Sequence, residues 1–324
     1  MIKSKLYLLF LFSVLSADFT FANQSEINIY SFRKQELIAP LLNDFEQTTK
    51  IKVNLVNGKS QELLRRLSND GAQSLADIVL SADLAQLHNH RHLLQPFNDF
   101  AQLINVPTQL RDTNNLWLSV SIRGRALFTS DTTHVPTPIY YGDLQQPQYQ
   151  ETFCVRDWQH SYNQTLFAGL LASNNNQDSA WIQHANKLLV KRPSGSDRDQ
   201  LRSLAQGKCQ FAFANHYYLA MLQNSQNKRD RDMASKLSIN WLKNQQGLTP
   251  ISTTTVAIAK YAPNADNANR FIEYLISNSA QKMYASLLAE YPVTSVIKNS
   301  EFKPALEGVK RSIGLLDQAK AISP

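Results

Sequence analysis

The chain is 324 residues long, 43% of its residues are hydrophobic, and its formal net charge at pH 7 is +7. This length suggests about two domains, and the composition is that of a globular protein that can bury sizeable cores. The basic residues are dispersed rather than gathered in one block, and no stacking aromatic residues alternate with them. These features argue against a nucleic-acid-binding protein and favour an anionic small ligand or an acidic partner surface.

The first residues have the features of a cleaved export signal. Lys3 and Lys5 precede a short apolar run, and Thr20-Phe21-Ala22 fits a signal-peptidase site that would leave Asn23 as the mature start. The apolar run is too short for a comfortable membrane span, so an uncleaved anchor is the weaker alternative. We therefore expect residues 1–22 to be a signal peptide and the mature protein to reach the periplasm.

Hydrophobic patterns typical of strands and of helices alternate in the next part of the chain. They predict strands at 26–30, 51–56 and 76–81, with helices at 36–49 and from Gly58 onward. Strands and helices that alternate over so short a stretch predict a doubly wound α/β lobe.

Two long β-branched segments, 116–129 and 251–259, predict strands that cross between two lobes. We predict an α/β fold of the class II periplasmic-binding-protein type, in which each lobe is a mixed sheet flanked by helices. The predicted parts are lobe one at 23–120 and 251–300, lobe two at 121–250, and a C-terminal helix at 301–324 that packs on the lobes. Ligands favour the cleft between such lobes, which close around them on a hinge.

The sequence contains two cysteines, Cys154 and Cys209. In an exported chain, an even number of cysteines favours a disulfide. Cys154 lies in the predicted strand 153–156 and Cys209 directly before the apolar run 211–214, so the bridge would join two neighbouring strands. Two buried free thiols are the alternative, and a closed metal site would need more ligands than these.

Tyrosines lie at two predicted helix starts. The apolar run 211–214 predicts a buried strand and Asn215 a cap, so Tyr217 and Tyr218 lie where a strand leads into a helix. Tyr162 lies in the first turn of another predicted helix, and a further helix is predicted over 181–190. Ligands gather at such carboxyl ends of strands, where the three phenols could converge. Phenolates are hard donors that suit a trivalent iron ion, although ordinary buried and surface tyrosines would give the same pattern.

Several motifs carry a resemblance to a known family. They are Ile29-Tyr-Ser-Phe-Arg33, Ala76-Asp-Ile-Val-Leu80, Leu116-Trp-Leu118, Arg123-Gly-Arg125, Ser161-Tyr-Asn-Gln164, Asn215-His-Tyr-Tyr218 and Glu290-Tyr-Pro-Val293. Through them the chain resembles the bacterial periplasmic ferric-iron-binding proteins of ABC transporters, in the transferrin-like superfamily. The resemblance implies Tyr162, Tyr217 and Tyr218 as iron ligands, ferric iron as the cargo and an inner-membrane ABC permease as the partner. We expect the protein to be a monomer.

The chain departs from that family in the predicted lobe one. Many members have a histidine, often followed by a tyrosine, after the first strand, where this chain has Lys34 and Gln35. Lys34 is a cation at neutral pH and would repel iron. Some members use a glutamate after the third strand, where this chain reads Ser81-Ala82-Asp83. These departures leave open whether lobe one supplies a protein ligand.

Three phenolates leave about half of an octahedral shell open, which a small anion such as carbonate would fill. Arg33 and Arg123 are candidates to hold the anion, because a guanidinium fork matches carboxylate-like oxygens. Lys34 could pair with it as well, and Tyr30 could lie in the surroundings of the site. Structural ion pairs for the arginines and a core position for Tyr30 are the alternatives. His216 is expected to be a neighbour of the site rather than a ligand.

The sequence contains no Ser/His/Asp arrangement, nucleophile elbow or glycine-rich phosphate loop, so we do not expect an enzyme. The function expected is the capture of ferric iron and its delivery to a permease. The alternatives are the same fold with an organic anion or cation as ligand, and a sensor component.

Overall fold

The computed structural model describes residues 25–294 and 301–324. The predicted signal peptide and residues 295–300 lie outside this part of the chain. Among the described helices, none has both the length and the apolar character that a bilayer crossing requires.

Strands and helices alternate along most of the described chain. The strands are β1 (Glu26–Ser31), β2 (Lys52–Asn57), β3 (Ile78–Ser81), β4 (Leu94–Gln95), β5 (Leu118–Ser130), β6 (Ile139–Tyr140), β7 (Phe153–Cys154), β8 (Phe211–Asn215), β9 (Leu237–Asn240), β10 (Leu242–Lys243) and β11 (Ile251–Ala259). The α-helices are α1 (Gln35–Thr49), α2 (Ser60–Asp70), α3 (Leu84–His88), α4 (Ser161–Ala172), α5 (Asn176–Ser179), α6 (Asp197–Ala205), α7 (Tyr217–Gln223), α8 (Lys228–Ala234), α9 (Ala265–Leu275), α10 (Asn278–Leu287), α11 (Val309–Gly314) and α12 (Leu316–Ile322).

Most of the described strands belong to one mixed sheet with the order β2-β1-β3-β11-β5-β8-β7. Strand β1 is parallel to β2 and β3, and helices α1 and α2 connect these strands. Strand β11 then runs antiparallel between β3 and β5. The doubly wound start predicted from the hydrophobic pattern is confirmed.

The long strand β5 belongs to both halves of the molecule. Its residues 118–124 pair with β11, whereas residues 125–130 pair with β8 and β9. At the crossing point, a β-carbon on Gly124 would lie 2.6 Å from Trp241 and 2.9 Å from Phe302. Glycine therefore lets two aromatic rings pack directly on the crossing strand. The predicted two-lobed α/β fold with crossing strands is confirmed, and the exact lobe boundaries remain a prediction.

The predicted disulfide joins Cys154 in β7 to Cys209, just before β8, with their Cα atoms 5.8 Å apart. β7 and β8 are parallel neighbours, with Phe153 opposite Phe211. In the chain-entropy model, a disulfide that closes a loop of this length stabilises the fold by about 4 kcal/mol. The bridge therefore fixes the two strands that lead toward the tyrosines.

Two predicted helices differ in the structure. The helix predicted over 181–190 is instead a 3-10 helix at Ile182–Leu188. It ends there because Leu189 is extended and Val190 N donates to Phe153 O at 3.1 Å. The prediction of one C-terminal helix over 301–324 is wrong. The segment contains two short helices, α11 and α12, which both pack on α4. Gly314 ends the first of them, consistent with the low helix propensity of glycine.

Candidate metal centre

The structure brings the three predicted iron ligands together. Tyr162 is the second residue of α4, and Tyr217 and Tyr218 are the first two residues of α7. These helices follow β7 and β8, whose carboxyl ends lie at the same edge of the sheet because the strands are parallel neighbours. The hydroxyl oxygens of Tyr217 and Tyr162 lie 3.5 Å apart, and the Tyr217 and Tyr218 ring centroids 4.4 Å apart.

Burial keeps the phenols of Tyr217 and Tyr218 protonated in the absence of a cation. Tyr217 and Tyr218 are 2% and 6% exposed. Burial, with Tyr162 and Tyr218 nearby, raises the pKa of Tyr217 well above its ordinary value. Burial and Tyr162 also raise the pKa of Tyr218 to about 12. Ionisation of this tyrosine pair near neutral pH therefore requires a strongly charged cation that replaces the phenol protons.

Two arginines lie against the Tyr162 ring. The Arg123 Cζ atom is 5.8 Å and the Arg156 Cζ atom 5.2 Å from the ring centroid. Arg123, a residue of the crossing strand β5, also donates to Ala82 O and, at 3.0 Å, to Thr253 O. These hydrogen bonds fix the position of its guanidinium. Its charge lowers the pKa of Tyr217 and thus opposes the larger effect of burial. Arg123 therefore lies beside Tyr162, and its part in holding an anion stays a prediction.

Sequence reasoning missed two neighbours of Tyr162, namely Arg156 and His160. Arg156 shares Asp197 with Arg125, at nitrogen–oxygen distances of 3.5 Å and 3.1 Å. Strand β7 ends at Cys154, so Arg156 lies beyond the strand in which the alternating pattern placed it. Both missed residues come shortly before Tyr162 in the chain, and this proximity was the only available signal.

His160 caps α4, and its free ring nitrogen is a hydrogen-bond donor rather than a metal ligand. Its Nδ1 accepts a hydrogen bond from Tyr162 N at 3.2 Å, and its ring centroid lies 4.6 Å from that of Tyr162. Burial and the charge of Arg156 lower the pKa of His160 to about 4, so the ring is neutral at physiological pH. A neutral imidazole that accepts at Nδ1 carries its proton at Nε2. In this orientation His160 can therefore donate to an anion.

The other predicted arginine, Arg33, is held in a buried ion pair. Its guanidinium donates to both oxygens of Glu290, at 2.5 Å and 3.1 Å, and to the Thr254 hydroxyl. Burial alone would raise the pKa of Glu290, but Arg33 and Arg123 hold it at about 2. This is the structural ion pair considered as the alternative for Arg33, and whether Arg33 also contacts an anion stays a prediction.

The remaining predicted residues, Lys34 and Tyr30, belong to the first half of the molecule. Lys34 and Gln35 are exposed at the start of α1. Tyr30 is buried, its hydroxyl lacks a hydrogen-bond partner within the described residues, and its ring lies 5.4 Å from Arg66 Cζ. Burial raises the pKa of Tyr30. Within residues 25–294 and 301–324, no group of three or more His, Cys, Asp or Glu could hold a metal ion.

His216 packs among aromatic rings next to the tyrosine pair. Its ring stacks on Tyr291 at 4.8 Å and contacts Trp241 at 5.6 Å. Its Nδ1 lies 3.3 Å from both the N and the O of Gly124. Burial lowers the pKa of His216 to about 4. These contacts give the ring a role in packing against the crossing strand.

The two-lobed sheet with a crossing strand, and a phenol cluster at one sheet edge, define a solute-binding protein. Residues 73–321 match the family model of bacterial extracellular solute-binding proteins, and the chain belongs to this family.

Similar proteins include Iron uptake protein A1 of Synechocystis, which is 32% identical over 86% of this chain and 81% of that protein. Among solved structures, the ferric binding protein from Campylobacter jejuni is 29% identical, with a TM-score of 0.82 over 91% of this chain and 98% of that one. The Trichodesmium protein IdiA (FutA), in complex with iron and citrate ligands, is also 29% identical, with a TM-score of 0.82 over 92% and 98%.

Proposed function

We propose that this protein captures ferric iron through the phenolates of Tyr162, Tyr217 and Tyr218. The observation that carries the proposal is the convergence of three phenols at one sheet edge, two of them joined by a 3.5 Å oxygen–oxygen contact. A trivalent ion compensates the cost of ionising buried phenols, which a neutral solute or an organic anion cannot do. The named relatives are iron-uptake and ferric-binding proteins, which supports iron over an organic ion as the ligand.

A small anion such as carbonate completes the metal shell in this proposal. Arg123 and Arg156 flank Tyr162, and the Nε2–H of His160 lies on the same helix start. Guanidinium and imidazole donors of this kind suit carboxylate-like oxygens. Lys34 is exposed at the start of α1, and its part in holding the anion stays a prediction.

The protein acts outside the cytoplasm, in the periplasm, and passes its iron to an inner-membrane ABC permease. Family membership supports an extracellular solute-binding role, and the short apolar run before Asn23 supports export. The proposed role is transport without catalysis.

The first test is a titration of the purified protein with ferric salts in bicarbonate buffer. Tyrosinate-to-iron charge transfer should give a visible absorption band, and the double variant Tyr217→Phe, Tyr218→Phe should lose it. Thermal unfolding of the variant controls for folding. Iron binding with full colour by the folded double variant would show that the site is assigned wrongly.

Arg156→Gln tests the anion. With iron present, this variant should need more bicarbonate than the wild-type protein to reach half-maximal colour. An unchanged bicarbonate requirement would remove Arg156 from the anion site.

A further inference from the structure

One buried carboxylate, that of Asp197, contacts both chain segments that lead to the candidate iron ligands. Asp197 is the first residue of α6, and its side chain is fully buried. Its Oδ2 accepts from Asn215 N at 3.1 Å, at the end of β8 and two residues before Tyr217. Its Oδ1 lies 3.5 Å from Arg156 Nη1, in the segment between β7 and α4. Asp197 therefore joins two segments that are far apart in the sequence.

Arg156 extends this contact to Tyr162. Its Cζ atom lies 5.2 Å from the Tyr162 ring centroid. Asn163, the residue after Tyr162, donates from Nδ2 to Arg156 O at 3.3 Å. The positions of Arg156 and Tyr162 are therefore coupled twice, through the guanidinium and through a main-chain carbonyl.

Arg125 joins the same carboxylate to the crossing strand β5. Its Nη1 donates to Asp197 Oδ2 and to Asn215 Oδ1, each at 3.1 Å, and its Nη2 donates to Phe213 O at 3.3 Å. The side chains of this ion pair are 4% and 0% exposed. Breaking a buried ion pair leaves an uncompensated charge, which makes other arrangements costly. The carboxylate is therefore held in one place relative to β5 and β8.

The charges of this group allow a role through position to be separated from a role through charge. Two guanidinium groups share one carboxylate, so positive charge is in excess. Burial and Tyr162 raise the pKa of Tyr218 most, Asp197 raises it further and Arg156 lowers it. Ferric iron and three phenolates together carry no net charge, so a bound anion makes the loaded site negative. Loss of the Asp197 charge alone would therefore favour the loaded site, whereas loss of the geometry that Asp197 fixes would weaken iron binding.

We propose that Asp197 is a positioning residue of the iron site, which holds the helix start of Tyr162 against the helix start of Tyr217 and Tyr218. The phenol oxygens are then spaced for one metal ion before it binds. This inference rests on the proposed function, because the three tyrosines remain the ligands. Replacement of groups that orient metal ligands without touching the metal typically lowers metal affinity about 10–100-fold.

The test is a titration of the purified protein with ferric iron in bicarbonate buffer, in which affinity and the visible band are both recorded. Asp197→Glu keeps the charge, so that neither arginine loses its counter-ion, but its longer side chain displaces the carboxylate. This variant should bind iron about tenfold or more weakly. Its band should also shift, because the band depends on the geometry of the iron–phenolate bonds. Asp197→Asn removes the charge and should change affinity and band in the same direction.

The matched control is Asp178→Asn, which changes another fully buried aspartate in the second half of the molecule. Asp178 accepts from Ser173 Oγ at 2.6 Å and from Gln245 N at 2.9 Å, and both partners lie outside the segments that lead to the tyrosines. The control should lose stability but keep the affinity and band of the wild-type protein. Thermal unfolding establishes that each variant is folded.

Three results would overturn the inference. The first is wild-type affinity and band in Asp197→Glu, whether or not Asp197→Asn folds. The second is equal or tighter iron binding by folded Asp197→Asn, which would show that the carboxylate acts through its charge. The third is an equal loss of affinity in the Asp178→Asn control. A wild-type protein that stays colourless with ferric iron would instead overturn the proposed function.

Discussion

Thr165 in α4 donates a 2.5 Å hydrogen bond to Asp83 Oδ2 and so links the two halves of the molecule. Asp83 directly precedes α3, and its other oxygen accepts from Ala85 N at 3.0 Å. Thr165 lies three residues after Tyr162, on the same face of α4. The first half therefore contacts the helix of a candidate ligand through a carboxylate whose two oxygens are both engaged.

Replacement of Thr165 by valine should destabilise the protein. The variant leaves Asp83 Oδ2 buried without its hydroxyl partner, which should lower the free energy of unfolding by about 1–3 kcal/mol in urea denaturation. Thr165→Ser keeps the hydroxyl and is the control. Equal stability of the valine and serine variants would show that the link contributes nothing.

The buried ion pair of Arg33 and Glu290 predicts that loss of the Glu290 charge strongly destabilises the protein. Glu290→Gln keeps the shape but leaves the Arg33 charge buried and unpaired, at 2% side-chain exposure. The free energy of unfolding at pH 7 should fall by about 3–5 kcal/mol. Glu62→Gln breaks an exposed pair with Lys59 and should cost less than about 1 kcal/mol. Similar losses in both variants would contradict the assignment of a buried pair.

The same pair predicts a dependence of stability on pH. The folded-state pKa of Glu290, about 2, lies below its ordinary value of 4.5. Its contribution is therefore fully present above about pH 4.5 and is lost as the pH falls toward 2, by about 3 kcal/mol in total. Urea denaturation of the wild-type protein across this range should show the loss, and Glu290→Gln should lack this part of it. Parallel curves for the two proteins would contradict the prediction.

Iron binding should release protons from the phenols. Burial first, and then neighbouring groups, raise the pKa values of Tyr217 and Tyr218 above the ordinary value, so both phenols are protonated in the free protein. Two released protons make the affinity fall about a hundredfold for each pH unit of acidification near neutral pH. A pH-stat titration with a ferric salt, corrected for metal hydrolysis, should count at least two protons per iron. Tyr217→Phe should release one proton fewer, and an unchanged count would exclude Tyr217 as a phenolate ligand.

Local patterns explain what could be predicted from the sequence. The alternating residues of β1, and the helical spacing of Leu41 and Phe45 in α1, each report burial over a short stretch. The positions of the tyrosines at helix starts follow from the same local reasoning. That the three phenols meet follows from the parallel pairing of β7 and β8, which no local pattern contains.

Long-range pairing explains most of what could not be predicted. Arg33 and Glu290 are 257 residues apart, so their ion pair depends on the complete fold. Arg156 was assigned to a strand because the alternating pattern continues beyond Cys154, where pairing with β8 stops. The 3-10 helix at Ile182–Leu188 was likewise missed, because the need to extend at Leu189 comes from its neighbour Phe153.

The close packing of two aromatic rings on Gly124 predicts that one added methyl group destabilises the crossing strand. In Gly124→Ala the new β-carbon would lie 2.6 Å from the Trp241 ring and 2.9 Å from the Phe302 ring, so the packed rings must shift. Overpacking of this kind costs about 1–3 kcal/mol, measurable by urea denaturation with tryptophan fluorescence. The control is Gly314→Ala, where nothing lies within 4 Å of the new β-carbon and alanine favours the helix. Because His216 contacts both of these rings and also the Tyr217 ring, Gly124→Ala should also shift the visible band of the iron-bound protein. An alanine variant with wild-type stability and spectrum would show that the aromatic cluster does not constrain the crossing strand.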